Sequence, residues 1–270
     1  MSIRMVVTDL DGTLLRNDKS ISELSLAVFR QCRKRGVKVV YATGRGNSAI
    51  ALAPSEHFDG AVRMNGAMAF VINDETLPKT NGVKSLDGET LIHSRLIPRK
   101  YVIDLLTAAD KEGISIAAEN SGVHYANFNA AEQWSWIRKD DVVDFRELNS
   151  DAEKMYAIVN SPRITELINK HLPDNLHLFV SRDNLAMIMH KEAAKSLAIA
   201  ALAKHWHIEP DGIVAFGDDV NDIDMLKYCG IGVAMGNALD EVKAAADQIC
   251  DTNENDGIAK WLESREEIWM

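Results

Sequence analysis

Residues 5–15 read MVVTDLDGTLL, an apolar run that stops on Asp9 and Asp11, one residue apart, followed at once by Gly12 and Thr13. A carboxylate can attack phosphorus while a second one nearby protonates the leaving oxygen. Held at a strand terminus by a glycine-permitted turn, Asp9 and Asp11 can take these two roles at one phosphorus atom. The plain alternative is an edge strand closing in a polar turn, since Asp, Gly and Thr are also ordinary turn residues. Two more polar clusters follow apolar runs: Thr43, Gly44 and Arg45 after residues 37–42, and GDDVND, with Asp218, Asp219, Asn221 and Asp222, after residues 212–216. Ligands of parallel α/β sheets sit beyond the carboxyl ends of the strands, so neighbouring strands would bring these clusters into one pocket.

Grouping Asp9, Asp11, Asp218 and Asp222 without a cation is costly, because like charges at close range repel or raise one another's pKa. A hard divalent ion resolves this. Mg²⁺ takes oxygen ligands, and the absence of neighbouring Cys or His argues against zinc. The metal would let anionic Asp9 approach an anionic phosphoryl group. Phosphoryl transfer also needs donors to the equatorial oxygens. Thr43 offers a hydroxyl with backbone N–H groups nearby, and Lys195 opens an expected helix whose N-terminal amides favour phosphate. Lys191 competes with Lys195 for that role.

The elements that must position these residues follow from the apolar patterning. Residues 5–8 and 37–42 are continuous apolar strands, and 60–67 (GAVRMNGA) holds a third. Between the first two, residues 21–35 carry Ile21, Leu24, Val28 and Cys32 at helical spacing, with Ser20 or Ser22 as cap and Gly36 as the stop. Strand, helix, strand with continuous apolar strands predicts a parallel sheet covered on both faces. The C-terminal third repeats the pattern, with helix 195–206, strand 212–216, helix 223–228, strand 230–234 and two further helical stretches. From about 84 to 183 the periods are shorter and mixed. Helices near 101–111, 131–138 and 163–171 alternate there with strands near 114–118, 123–128, 154–160 and 176–181. The fold class is therefore α/β, a Rossmann-like parallel-sheet core with an inserted α+β domain. The expected boundaries are 1–83 and 186–270 for the core and 84–185 for the insertion. The polar stretch 73–89 reads as an extended hairpin or a mobile loop.

The composition narrows the function classes. Of 270 residues, 46% are hydrophobic and 26% charged, as expected of a globular chain able to bury a full core. Forty acidic against thirty basic residues, a formal charge of −10, disfavour a sequence-independent grip on nucleic acid or anionic membrane. No apolar run reaches transmembrane length and the first residues lack a signal-peptide pattern, so a cytoplasmic location is expected. Cys32, Cys229 and Cys250 are widely spaced in apolar surroundings and read as reduced core thiols. His205 and His207 flank Trp206 at a helix end, where i and i+2 positions do not face together. Trp134 and Trp136 read as packing residues with the option of stacking on a ring. Arg45 reads either as a pocket residue or as half of an ion pair.

DLDGTLL (9–15), ATGR (42–45), the Lys195 region and GDDVNDIDML (217–226) resemble, in order, the four motifs of the haloacid dehalogenase superfamily. The chain is most similar to its Cof-type, subclass IIB sugar-phosphatase-like members, with MNGA (64–67), VAMGNA (233–238) and NENDGIA (253–259) as further local matches. The approach to Lys195, HKEAAKSLA, departs from the glycine-rich run common in the family. The resemblance implies a Rossmann-like core with a cap inserted between the second and third motifs. It makes Asp9 the nucleophile that forms an aspartyl-phosphate. Asp11 becomes the general acid and base, which also gives its backbone carbonyl to Mg²⁺. It assigns metal binding to Asp9, Asp11, Asp218 and Asp222, and substrate binding to Leu10, Thr43, Gly44, Lys195 and Asn221. The function implied is Mg²⁺-dependent hydrolysis of a small phosphomonoester by a monomer or weak homodimer, with the cap selecting the leaving group. The alternatives are transfer to a second metabolite, as in a phosphomutase, and a non-catalytic phospho-signalling module built on the same Asp, Thr and Lys.

Overall fold

A computed structural model of the chain describes residues 2–73, 88–134, 137–180 and 184–265. The described residues form two compact units, one of 1–94 with 194–270 and one of 95–193.

In chain order the strands are β1 (Met5–Thr8), β2 (Lys38–Ala42), β3 (Gly60–Arg63), β4 (Met68–Ile72), β5 (Glu89–Ser94), β6 (Ile116–Asn120), β7 (Val123–Ala126), β8 (Val142–Asp144), β9 (Lys154–Ile158), β10 (Leu176–Val180), β11 (Leu185–His190), β12 (Ile213–Gly217), β13 (Ile231–Ala234) and β14 (Gln248–Ile249). The first unit holds an eight-stranded sheet in the order β14-β13-β12-β1-β2-β3-β4-β5. Strands β14 to β3 run parallel, and β4 and β5 extend the sheet antiparallel. Every residue of β1, β3 and β12 is buried, as expected of strands covered on both faces. From β1 the chain winds outward through β2 and β3, then resumes on the other side at β12, so the strand order reverses between β1 and β12. That is where an open α/β sheet leaves a crevice.

The helices that flank this sheet have local causes. Ser22 caps Glu23–Lys34 by accepting from the Ser25 amide, and Gly36 ends it at φ +78°. The helix Lys195–His205 buries Lys195, Ala198, Ile199, Leu202 and Ala203, an i, i+3, i+4, i+7, i+8 stripe that lies against β3, β4 and β5. No helix among the described residues is long and apolar enough to cross a membrane.

The second unit is a six-stranded sheet in the order β10-β11-β9-β6-β7-β8, antiparallel except between β7 and β8. Alternation sorts its faces: Ile116 and Ala118 of β6 pack with Leu105, Leu106, Leu167 and Ile168 of helices Arg99–Lys111 and Pro162–His171. Ala117 faces a separate cluster with Tyr156.

The units divide after residues 94 and 193, not after 83 and 185, because β5 pairs with β4 while β11 pairs with β9 and β10. The helix expected over 131–138 is only Ala130–Gln133, since Trp134 turns extended to pack on Phe128 and Tyr156. Trp136, most of the 73–89 stretch and the last five residues lie outside the described residues. Cys32 and Cys229 are buried free thiols as expected, and Cys250 is free but partly exposed.

Candidate active site

Asp9 follows β1 directly, and Asp218 follows β12, its immediate neighbour in the sheet. The Asp9 amide donates to the carbonyl of Phe216 (3.0 Å), which carries the parallel ladder into the loops. Gly12 adopts φ +82°, and a Cβ there would overlap the Asp218 carboxylate. Glycine therefore lets the two acidic loops approach. Thr13 completes the contact, its hydroxyl donating to Asp218 Oδ1 at 2.5 Å.

Lys195 supplies the cation. Its Nζ donates to Asp9 Oδ1 at 2.7 Å and to Asp222 Oδ1 at 2.6 Å, with the lysine side chain wholly buried. The second oxygen of Asp222 accepts the amides of Asp218 (2.9 Å) and Asp219 (3.1 Å). Asp219 caps the turn Val220–Asp222 through the Val220 amide, a local job that explains its presence beside Asp218. Asp224 accepts the Ser196 amide at 2.8 Å, capping the Lys195 helix from outside because Ala194 has no side-chain acceptor.

Oxygens of Asp9, Asp218 and Asp222 lie within 4.8 Å of one another. Burial is the largest influence on Asp9 and pushes its carboxyl up to about 8; Asp222 and Asp218 add to the rise and Lys195 opposes it. Asp218 is pushed up to about 6, again chiefly by burial. Burial alone would favour neutral Lys195, but Asp222 and Asp9 outweigh it and hold the ammonium charged. Three carboxylates around one ammonium are short of positive charge, and every remaining donor is a hard oxygen. The residues fit a divalent cation of the Mg²⁺ type.

Asp11 stands apart from that group. Its carboxylate accepts from Arg45 Nε (2.5 Å) and Nη2 (2.7 Å) and from Lys19 Nζ (2.8 Å). Despite half-burial, these bonds hold the Asp11 carboxyl below the usual carboxylate range. The side chain of Leu10 is buried, and its carbonyl accepts the Leu15 amide at 2.8 Å, which closes the loop. Thr43 is buried beyond β2, with its amide on the Val62 carbonyl (2.9 Å) and its hydroxyl accepting the Arg45 amide (3.2 Å). Gly44 lies against Asn65, whose side-chain carbonyl accepts from Asn221 Nδ2 at 2.9 Å. Lys195 is thus joined to Asp9 and Asp222, whereas Lys191 belongs to the second unit and its amide meets the Asn175 carbonyl.

Reading residue types along the sequence missed a set of supporting asparagines. Asn237 Nδ2 donates to the Gly12 carbonyl (2.7 Å), and Asn253 Nδ2 to the Leu15 carbonyl (2.9 Å). The Asn253 amide in turn meets Asn237 Oδ1 at 3.1 Å. Their signal was present, as asparagines after an apolar strand and within a turn, but a single sequence does not say which backbone such an amide will brace.

The model of the haloacid dehalogenase-like hydrolases matches residues 6–262. A putative phosphatase of Haemophilus influenzae is 27% identical, the alignment covering 98% of this chain and 99% of that protein. The 5-amino-6-(5-phospho-D-ribitylamino)uracil phosphatase YcsE of Bacillus subtilis is 28% identical over 96% of this chain and 94% of its own. Among solved structures, a subclass IIB sugar phosphatase superposes with a TM-score of 0.75 at 25% identity, covering 96% of this chain and 98% of that one.

Proposed function

Because the chain belongs to the haloacid dehalogenase-like hydrolase family, matching its model over residues 6–262, we propose that it is a Mg²⁺-dependent phosphatase of small phosphomonoesters working through an aspartyl-phosphate on Asp9. The observation that carries this reading is the buried junction of Asp9, Lys195 and Asp222 beside Asp218, at the carboxyl ends of β1 and β12.

An oxygen of Asp9 attacks phosphorus as the bond to the leaving oxygen breaks, and Asp11 delivers its proton to that oxygen. Water then attacks the phosphorus of the aspartyl-phosphate, giving a proton back to Asp11 and releasing the Asp9 carboxylate. Lys195 offers its ammonium to the phosphoryl oxygens and keeps charge balanced around Asp9. Thr43 contributes its hydroxyl and Gly44 its backbone amide, with Asn221 adding a side-chain donor. Mg²⁺, when bound, neutralises phosphoryl charge, and Asp9, Asp218 and the Asp11 carbonyl are the groups that would hold it. Asp222 has both oxygens committed, so its share is to orient Lys195 and the amides of 218 and 219. In the ion-paired arrangement Asp11 is anionic, so acid catalysis requires it to leave Arg45 and Lys19, take up a proton from solvent and then meet the leaving oxygen.

The test is hydrolysis of p-nitrophenyl phosphate with Mg²⁺ by the full chain and by Asp9→Asn. We expect turnover that the substitution abolishes; no turnover, or turnover indifferent to Asp9, sinks the proposal. The names of the relatives put ribitylaminouracil and sugar phosphates first among metabolites to rank by kcat/KM.

A further inference from the structure

Three consecutive residues after β3 are left-handed, Met64 and Asn65 at φ +50° and Gly66 at φ +96°. Asparagine and glycine tolerate this region, but a methionine there is strained, and such strain persists only where surroundings impose it. The turn's base is rigid: buried Arg63 donates to the Tyr41 hydroxyl at 2.8 and 3.0 Å and pairs with buried Glu89.

The surroundings are the loops of the proposed phosphate site. The Asn65 amide donates to the Thr43 carbonyl and the Met64 amide to the Arg45 carbonyl, each at 3.0 Å. A Cβ on Gly44 would lie 2.9 Å from Asn65 Oδ1, so the loop after β2 is closed down onto that side chain. The same Oδ1 accepts from Asn221 Nδ2 at 2.9 Å. On the other side, a Cβ on Gly66 would overlap the Ala194 carbonyl, which is why the Lys195 helix can begin there. One turn therefore touches the segments that carry Thr43, Lys195 and Asn221, three groups drawn from three separate stretches of chain.

Resting on the phosphatase reading, we propose that Asn65 is a positioning residue, its side-chain carbonyl holding Asn221 against the Thr43–Gly44 loop so that both face one phosphate. Backbone and side chain make separable contributions. Asn65→Gly keeps the left-handed conformation and the amide bond to Thr43 while removing the acceptor for Asn221.

The experiment titrates inorganic phosphate calorimetrically into the full chain with Mg²⁺, and measures kcat and KM for p-nitrophenyl phosphate. It compares the wild type, Asn65→Gly, Asn221→Ala and the double variant, with thermal midpoints as a control on folding. We expect Asn65→Gly to weaken phosphate binding and raise KM by about tenfold, the worth of one lost polar contact, with kcat and midpoint changed little. In the double variant the losses should overlap at about tenfold and not multiply toward a hundredfold. Wild-type phosphate binding by Asn65→Gly, a loss that appears in the midpoint alone, or losses that multiply would each overturn the proposal. A wild type that binds phosphate but does not turn over p-nitrophenyl phosphate defeats the phosphatase reading while the titration still judges Asn65. One that neither binds phosphate nor turns over the ester defeats both.

Discussion

Lys195 and Asp222 face each other at 2.6 Å with both side chains wholly buried, one from the first residue of a helix and the other from the turn beyond β12. A buried pair of this kind adds little over apolar packing, but breaking it strands a charge. Asp222→Asn would leave the ammonium with Asp9 alone and set an NH₂ against either Lys195 or the amides of 218 and 219. We expect a loss of about 3–5 kcal/mol in denaturant unfolding. A loss below about 1 kcal/mol would mean that Asp222 does not hold Lys195.

The two acidic loops should separate rate from metal affinity. Asp11 carries its carboxylate among Arg45 and Lys19, whereas Asp218 carries its own among Asp9 and Asp222. Asp11→Asn is expected to lower kcat by about 10²- to 10⁴-fold, the usual worth of a proton-transferring group, and to leave Mg²⁺ affinity within a few-fold. Asp218→Asn should weaken Mg²⁺ by more than about tenfold. The check is the Mg²⁺ dependence of the thermal midpoint, because a ligand at 100 times its Kd stabilises by about 2.7 kcal/mol. A normal Mg²⁺ response in Asp218→Asn, or a lost one in Asp11→Asn, contradicts the assignment.

The second unit contains a pH-sensitive contact of its own. His124 Nδ1 lies 2.7 Å from the buried Tyr156 hydroxyl, and burial is the main cause that pushes the His124 pKa down, with Lys154 adding to it and Glu119 opposing. The folded chain thus keeps His124 neutral while the unfolded chain takes a proton below about 6.5. Its contribution is present above that pH and lost as pH falls through it, because burial penalises the charged ring and the Tyr156 hydroxyl would have to turn from donor to acceptor. The thermal midpoint should drop more steeply between pH 7.5 and 5 for the wild type than for His124→Gln, which keeps an acceptor. Parallel profiles would remove His124 from the acid sensitivity.

Much of this site is legible without coordinates, because backbone chemistry is local. Continuous apolar runs specify strands buried on both faces, and the polar residues that end them must then lie at strand termini. Asp9, Thr43 and Asp218 could be picked out on that basis, and the parallel core followed from the same runs. Gly12 and Gly36 are likewise local, each meeting a positive φ that its own turn demands.

What only the tertiary structure decided is which termini meet and which partner each charge takes. Lys195 and Lys191 are indistinguishable by type, but only the helix beginning at Lys195 lies against β3 to β5 and brings an ammonium between Asp9 and Asp222. By sequence Arg45 fits either a pocket or an ion pair, and the loop after β2 delivers it to Asp11. The edges of the inserted unit moved because strand pairing, not composition, assigns β5 and β11 to their sheets. The asparagines at 65, 237 and 253 acquire their work from carbonyls and amides brought near by folding. The physical reason is common to all of these. Local sequence sets dihedral angles and apolar periodicity, whereas the partner of a buried charge or amide is set by packing between segments far apart in the chain.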